Sequence, residues 1–263
     1  ILSLKDPNAI PWGSDSLNHI AKTEFLKESI QQGFLNPTIY PDWYMGSQIF
    51  RYYPLLPYYA LLIFGSLFGN LMLSSFLYIF CFLLIGGLTF LLFKRWIGWL
   101  PAILGGILYV MIPDHILIAF SEGNFPRILT FALVPLMFFF VLRALENSKV
   151  ALVGIALLFG VLVLCHPMMA AIYAVFVLLL ALAMWFAKQT QFKTVLWVVL
   201  MVILGLGISS WWLLPSQSGG ITEFSAGALA EAYPAISLTT IFNPFLRISN
   251  PEQFYVSLAM ALF

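Results

Sequence analysis

The run LMLSSFLYIFCFLLIGGLTFLLF, residues 71–93, contains no Asp, Glu, Lys, Arg or His. It is long enough to cross a bilayer, because a spanning helix needs about 20 consecutive apolar residues. The whole chain is similar in character, since 62% of its residues are hydrophobic and 9% are charged. In a soluble domain about a quarter of the residues are charged. The sequence therefore predicts an all-α polytopic membrane protein.

Five further apolar segments follow this run, so we predict six spanning helices within residues 71–214. The further segments are residues 99–120, 128–142, 150–165, 168–187 and 194–214. The apolar stretch in 54–69 is shorter than a span requires, which predicts an interfacial or re-entrant helix. Residues 215–253 are expected to form an outer loop, and residues 254–263 the start of a further span. We expect residues 1–263 to be a single membrane-embedded domain from a longer chain.

Basic residues in alternate loops predict the orientation of these spans. Lys and Arg are concentrated in the loops at 94–95, 143–149 and 188–193, and short loops of this kind face the cytoplasm. The other loops then lie on the outer face, and they carry Asp114, His115, Glu122, Arg127 and His166. If residues 54–69 do not cross the membrane, the loop 1–53 lies on the outer face as well.

The outer loop 1–53 contains a predicted helix from Asp15 to Gln32, which Gly33 ends. Apolar residues recur in it at helical spacing, namely Leu17, Ile20, Ala21, Phe25, Leu26 and Ile30. Polar residues fall mostly on the other faces, namely Asn18, Lys22, Lys27, Glu28 and Gln31. The pattern predicts an amphipathic juxtamembrane helix that lies along the membrane or packs on a neighbouring domain.

The start of this helix is polar and potentially reactive, with the sequence WGSDSLNH at residues 12–19. Glycine permits a tight turn, and Ser and Asp are common N-cap residues because their side chains accept hydrogen bonds from the first helical N–H groups. A carboxylate is also stabilised at a helix N-terminus by the helix dipole. Asp15 is therefore a candidate helix cap or a candidate catalytic acid, and the local sequence leaves both open.

Residues 37–54 are dense in aromatic residues, proline and glycine, and include Trp43, Tyr52 and Tyr53. Tyr and Trp are common at the membrane interface, where one part of the side chain is wet and the other is buried. The same rings could stack against a sugar or an isoprenoid. The segment is thus an aromatic belt or a substrate platform.

A second group of candidates lies near the predicted membrane edge. Asp114, Glu122 and Arg127 are costly there unless they pair with one another or line a wet cavity. Arg127 could join two helices through an acid, or bind phosphate through its planar guanidinium. His166 could be a turn residue or a ligand. Together with the acids it could hold Mg²⁺ or Mn²⁺, which take oxygen and imidazole ligands.

Several functions receive no support from the sequence. The net charge is +1 and no basic run is interleaved with exposed aromatic residues, so nucleic acid is not an expected partner. Cys81 and Cys165 lie in different apolar segments and do not have the spacing of metal ligands. No Gly-rich phosphate loop and no HExxH motif occurs, which leaves nucleotide hydrolysis and metalloproteolysis without a signal.

The motifs resemble a known group of membrane enzymes. Gly13-Ser14-Asp15 with His19, Trp43, Gly46 and the run YYPLLPYY at 52–59 resembles the first outer loop of GT-C type glycosyltransferases. More narrowly, the chain is similar to the bacterial and archaeal membrane family named for 6-pyruvoyl-tetrahydropterin synthase-related domains, a name that does not imply pterin chemistry. Ser121-Glu122-Gly123-Asn124 with Arg127, and the His166-Pro167 junction, are similar to further elements of that family.

The resemblance implies a GT-C-like helical bundle in a bacterial or archaeal cell membrane, with its active face outside. The implied reaction moves a sugar from a polyprenyl phosphate to a glycan, lipid or protein acceptor. Asp15 would be the catalytic acid or base, and Arg127 and His166 would bind the donor phosphate. Asp15, Asp114 and Glu122 would be the metal ligands. The substrate platform would consist of His19, Trp43, Tyr52 and Tyr53.

Two departures from the family pattern bear on whether a metal is required and on which class of donor is used. Asp15 is followed by Ser16 where many relatives have a second acid, and a frequent Pro-Pro-Leu appears as Pro54-Leu55-Leu56-Pro57.

The alternative class of function is a transporter or flippase of lipid-linked glycans. Transporters often place ionisable residues in broken helices near the midplane and contain internal repeats. Here the ionisable residues cluster on one face and no repeat is visible, which favours an enzyme.

Overall fold

A computed structural model of the protein describes residues 13–43 and 46–217. The predicted loop 215–253 lies outside these residues except for 215–217, and the predicted span start at 254–263 lies outside them entirely. The described helices are α1 (Ser16–Gln31), α2 (Ile49–Tyr52), α3 (Leu56–Phe68), α4 (Leu71–Thr89), α5 (Lys94–Ile97), α6 (Trp99–Val110), α7 (Pro113–Leu117), α8 (Phe125–Leu145), α9 (Lys149–Cys165), α10 (Pro167–Phe186) and α11 (Phe192–Ser216). A 3-10 helix, Phe90–Phe93, joins α4 to α5, and a π-helical segment, Ile118–Glu122, follows α7.

Five helical stretches are long and apolar enough to cross a membrane, which confirms the predicted class of all-α polytopic membrane protein. They are Leu73–Ile97, Trp99–Glu122, Phe125–Leu145, Pro167–Phe186 and Phe192–Ser216. The remaining predicted span, 150–165, corresponds to α9, which has 17 residues. At 1.5 Å per residue α9 is about 25 Å long, which is the lower limit for crossing the hydrocarbon. Five helices in the described residues therefore have the full length of a span, where the sequence predicted six.

The outward faces of these long helices are apolar. Leu88, Leu104 and Leu204, on three different helices, are all exposed in the isolated chain. Extended exposed apolar surfaces are rare on soluble monomers and are normal where lipid covers the protein. The surface therefore indicates a bilayer environment.

α9 packs against both α8 and α11. Its contact with α11 is close because of glycine, since a Cβ added to Gly205 would meet the Ala156 carbonyl oxygen at 2.8 Å. Around this contact Met137, Ile155 and Leu162 are fully buried. Small residues that let helix backbones approach are a common basis of packing between membrane helices.

Polar contacts show which loops share an end of the bundle. At one end, Glu146, which follows α8, contacts Trp96 and Arg95 of α5 and Arg143 of α8. The loop before α11 is at the same end, because the Thr190 hydroxyl donates to the Leu145 carbonyl. At the opposite end, which we call the site end, residues 13–15 contact residues 121–123. The alternation of basic loops in the sequence predicted this separation.

α3 begins at the site end, where the Tyr58 hydroxyl in its first turn is 3.0 Å from Nδ1 of His19. The helix packs against α1 and α4 and ends at Gly69, which has a φ of 70°. Such a left-handed conformation is the usual end of a helix at glycine.

α1 buries part of the apolar face that the sequence predicted, together with polar residues that it did not predict to be buried. Ile20 and Leu26 are buried and Phe25 and Ile30 pack against the core, whereas Leu17 is exposed. The polar residues buried with them are Ser16, His19, Lys22, Thr23 and Ser29, because the neighbouring elements offer polar and aromatic partners. The Tyr58 hydroxyl bonds His19, and the Tyr53 ring covers Lys22. α1 is therefore packed into the site end through a stripe of mixed polarity.

Cysteine labelling is expected to place the two ends of the bundle on opposite sides of the membrane. In a background without Cys81 and Cys165, Glu28→Cys puts a thiol at an exposed position of α1, and Gln189→Cys puts one in the loop before α11. A membrane-impermeant maleimide added to intact cells should label position 28 and leave position 189 unlabelled until the cells are permeabilised, since basic loops face the cytoplasm. Labelling of both positions from outside would contradict the topology.

Candidate functional site

Backbone hydrogen bonds join two loops at the site end. The Ser14 N–H donates to the Ser121 carbonyl at 3.1 Å, and the Asp15 N–H donates to the Glu122 carbonyl at 2.7 Å. One loop leads into α1 and the other into α8, so these bonds fix the start of one helix against the start of the other. The structure thereby places Asp15 beside the acidic loop that precedes α8.

Two glycines permit this close approach. A Cβ on Gly13 would meet the Gly123 nitrogen at 2.6 Å, and a Cβ on Gly123 would meet Oγ of Ser16 at 1.8 Å. Gly123 also has a φ of 66°, which side-chain-bearing residues rarely adopt. Both positions therefore require a residue without a side chain.

Gly123→Ala is expected to destabilise the protein by about 2–4 kcal/mol, the sum of left-handed strain and overpacking against Ser16. The matched control is Gly33→Ala, because Gly33 has a φ of 91° and open space around its Cβ position, so only the strain applies. Thermal unfolding of the purified full-length protein measures both variants. If Gly123→Ala is no more destabilising than Gly33→Ala, the two loops are not in tight contact.

Asp15 occupies the N-cap position of α1, but its side chain accepts no capping hydrogen bond. Its Oδ2 instead lies 3.5 Å from Nδ2 of Asn124. Asn124 in turn caps α8, since its Oδ1 accepts the Arg127 N–H at 3.1 Å. Of the two functions that the sequence left open for Asp15, the structure does not show the helix cap, and the carboxylate is available for other contacts.

A cavity of about 270 Å³ lies beside Asp15, between α1, α2 and the starts of α8 and α10. Its polar lining consists of Asp15, Asn18, His19, Asn124 and His166, and Tyr52 and Tyr53 form part of the wall. Oδ1 of Asn18 is buried and has no hydrogen-bond partner among the described residues. The cavity therefore presents a carboxylate, amides and imidazoles together with aromatic rings.

Three of the four residues predicted to form a substrate platform line this cavity. They are His19, Tyr52 and Tyr53. Trp43 lies instead beside Lys22, whose Nζ is 5.4 Å from the centroid of the indole. The aromatic wall of the cavity is thus made of tyrosines from the segment 52–53.

Both imidazoles of the cavity are neutral near pH 7. Burial, together with the charges of the nearby Lys22 and His166, lowers the pKa of His19 to about 3. Burial and the charge of Arg127 lower the pKa of His166 to about 4. Nδ1 of His166 accepts the Met169 N–H at 3.4 Å and so caps α10. Neither side chain supplies positive charge to the cavity.

Arg127 does not line the cavity, because two acids hold its guanidinium. Nη1 is 3.0 Å from Oε2 of Glu122, and Nη2 is 3.6 Å from Oδ2 of Asp114. The sequence left open whether Arg127 pairs with an acid or binds phosphate, and the structure shows the pair. This cluster ties the start of α8 to the segment Pro113–Glu122.

The acids predicted as metal ligands are not arranged as a metal site. Within residues 13–43 and 46–217, no three His, Cys, Asp or Glu side chains are grouped so that they could hold a metal ion. Glu122 and Asp114 face Arg127, and Asp15 faces Asn124. Hard divalent cations need several converging oxygen ligands. The three acids therefore do not fit Mg²⁺ or Mn²⁺.

Sequence reasoning missed Lys22, which it placed on the polar face of α1. The residue is 0% exposed, and its Nζ lies 3.6 Å from the centroid of the Tyr53 ring. Burial lowers the pKa of Lys22 to about 8, and the charge of Asp15 opposes this shift. The signal was present in the spacing, since Lys22 lies three residues after His19 and four before Leu26, which places it on their face of the helix.

A second cavity, of about 390 Å³, lies on the other side of α2. Its lining includes Asn36, Gln48, Arg51, Trp211 and Trp212. Nε1 of Trp212 donates to the Phe50 carbonyl, and Nε of Arg51 donates to the Pro215 carbonyl. The short helix α2 is therefore a wall between two cavities, with Arg51 on one side and Tyr52 on the other.

Five membrane-length apolar helices with a polar cavity at one end of the bundle define a polytopic α-helical membrane protein. A family model described as 6-pyruvoyl-tetrahydropterin synthase related domain, membrane protein, matches residues 50–263. The chain belongs to this family. The match includes the aromatic wall, the loop before α8 and His166, and it begins after α1. No curated protein and no solved structure matches the chain.

Proposed function

We propose that the protein is a GT-C type membrane glycosyltransferase that moves a sugar from a polyprenyl phosphate to an acceptor hydroxyl at the non-cytoplasmic face. The observation that carries this proposal is the position of Asp15, whose carboxylate shares one cavity with the unpartnered Asn18 amide oxygen and two tyrosine rings. A sugar offers hydroxyls to such polar groups and an apolar ring face to such aromatic rings.

The cavity lies at one end of a bundle of membrane-length helices, which suits a donor anchored in lipid. A polyprenyl chain keeps the sugar phosphate at the membrane boundary, where Asp15, Tyr52 and Tyr53 lie. α8 and α10 both begin at the cavity, which Pro126 in the first turn of α8 and Pro167 at the start of α10 line. The N-terminal ends of helix dipoles carry partial positive charge and favour anionic groups such as phosphate.

In the proposed reaction Asp15 acts as general base. Its carboxylate takes the proton of the acceptor hydroxyl while that oxygen forms a bond to the anomeric carbon of the donor. The bond from the anomeric carbon to the phosphate oxygen breaks, and its electron pair stays on the departing phosphate. The neutral imidazoles of His19 and His166 can exchange hydrogen bonds with sugar hydroxyls without adding charge.

The test is a transfer assay on the full-length protein in proteoliposomes. Radiolabelled polyprenyl-phosphate sugars are supplied with glycan, lipid and peptide acceptors, and products are separated after the lipid has been extracted. Label bound covalently to an acceptor is the expected result. Label that moves between leaflets and stays on the polyprenyl phosphate would indicate the alternative, a flippase, and would overturn the proposal.

A further inference from the structure

Lys22 is a buried cation whose ammonium makes no hydrogen bond to a carboxylate among the described residues. Its side chain is 0% exposed, and Nζ has no hydrogen-bond partner within the described residues. An ammonium carries three donors. Burial of a charged group is costly unless another charge or several hydrogen bonds compensate. The surroundings of Lys22 therefore compensate the charge and the hydrogen-bond donors of its ammonium only in part.

Aromatic rings provide that partial compensation. Nζ lies 3.6 Å from the centroid of Tyr53 and 5.4 Å from that of Trp43. The face of an aromatic ring attracts a cation, but it accepts none of the hydrogen bonds that water or an oxyanion would accept. The rings hold the ammonium in place and leave its donors unused.

Tyr53 separates Lys22 from the cavity that contains Asp15. Tyr53 lines that cavity and is itself partly exposed, while Lys22 lies on the other side of the ring. Lys22 is on the same helix as Asn18 and His19, one turn further on, so it shares their face of α1. For the ammonium to reach the cavity, the Tyr53 ring would have to move.

The other cations of the site end that belong to the described residues are engaged or turned away. Arg127 is held by Glu122 and Asp114, and Arg51 donates to Gln48 and to the Pro215 carbonyl. The Lys27 side chain is exposed on the surface of α1. Among these cations, Lys22 is the one that is separated from the cavity by a single side chain, the Tyr53 ring.

We propose that Lys22 binds the phosphate of the lipid donor, and that Tyr53 turns away from the ammonium when the donor enters. The inference rests on the proposed glycosyltransferase function and assigns its phosphate-binding residue. Lys22 then stabilises the charge that collects on the phosphate oxygen as the bond to the anomeric carbon breaks. Asp15 and Lys22 act on opposite sides of the reacting carbon, one on the acceptor proton and the other on the leaving group.

The experiment measures binding of farnesyl phosphate, farnesol and inorganic phosphate to the full-length protein in nanodiscs. The wild-type protein should bind farnesyl phosphate at least tenfold more tightly than farnesol, and inorganic phosphate alone should bind more weakly than the lipid. Lys22→Met should remove the preference for farnesyl phosphate, and Lys22→Arg should keep most of it. Lys27→Met, at an exposed lysine of the same helix, is the matched control and should bind as the wild type does.

Further readouts separate phosphate binding from a structural role. Lys22→Met removes a buried charge and should not lower the melting temperature, whereas a structural role in holding Tyr53 would lower it. Tyr53→Leu removes the covering ring and should preserve or strengthen the binding of farnesyl phosphate. Retention of the phosphate preference by Lys22→Met would overturn the inference, as would a wild-type protein without that preference. The transfer assay still decides the proposed function in both cases, because it does not depend on which residue holds the phosphate.

Discussion

Asp15→Asn is expected to lower the rate of sugar transfer by about 10²–10⁴-fold, which is the usual contribution of a general base. Asparagine has nearly the same shape as aspartate but cannot take a proton from the acceptor hydroxyl. The measurement is the initial rate of transfer in proteoliposomes, with the amount of protein normalised by immunoblot. Farnesyl phosphate should bind to this variant as it does to the wild type, since the base acts on the acceptor.

The fold should tolerate this substitution, because the contacts that fix residue 15 come from its backbone. Its N–H donates to the Glu122 carbonyl, and its carbonyl accepts the His19 N–H. The matched control is Glu28→Gln, which removes an exposed carboxylate from the same helix and should leave transfer unchanged. Transfer by Asp15→Asn within a few-fold of the wild-type rate would remove Asp15 from the mechanism.

Hydropathy was sufficient to predict the bundle. Apolar runs and basic loops depend on the bilayer rather than on tertiary contacts, so they can be seen in the sequence alone. The run 71–93 corresponds to the span Leu73–Ile97, and the run 194–214 corresponds to Phe192–Ser216. The observed spans extend past the predicted bounds at Lys94 and Lys193, because such polar residues continue the helices beyond the apolar core.

The arrangement of polar side chains depends on partners far away in the chain, and the sequence predicted it less well. His19 is buried because Tyr58, 39 residues later, meets its imidazole. Lys22 is buried because Tyr53 and Trp43 cover it. A helical pattern assigns a lysine to the solvent face unless such partners are known. The same limit applies to Arg127, whose two possible functions could be separated only when its distances to Glu122 and Asp114 were known.

Arg127→Met is the second change with a large expected effect, a loss of about 3 kcal/mol in the free energy of unfolding. Removing one member of a buried ion pair leaves an uncompensated charge and costs about 3–5 kcal/mol. The lower limit applies here because Arg127 is 13% exposed while the side chains of Glu122 and Asp114 are 28% and 38% exposed, so water can reach the freed acids. The melting temperature of the full-length protein in nanodiscs measures the effect.

A charge-neutral double variant separates the ion pair from the packing of the arginine stem. Arg127→Met with Glu122→Gln leaves one partly buried carboxylate fewer without a partner, so it should recover part of the stability lost in Arg127→Met alone. The control is Arg95→Met at the opposite end, where Arg95 and Glu146 are 45% and 37% exposed and the pair is worth at most about 1 kcal/mol. Equal losses for Arg127→Met and Arg95→Met would show that the cluster around Arg127 does not hold the start of α8 in place. If that cluster fixes the loop on which the position of Asp15 depends, Arg127→Met should lose several times more unfolding free energy than Arg95→Met. The double variant should then recover part of that loss.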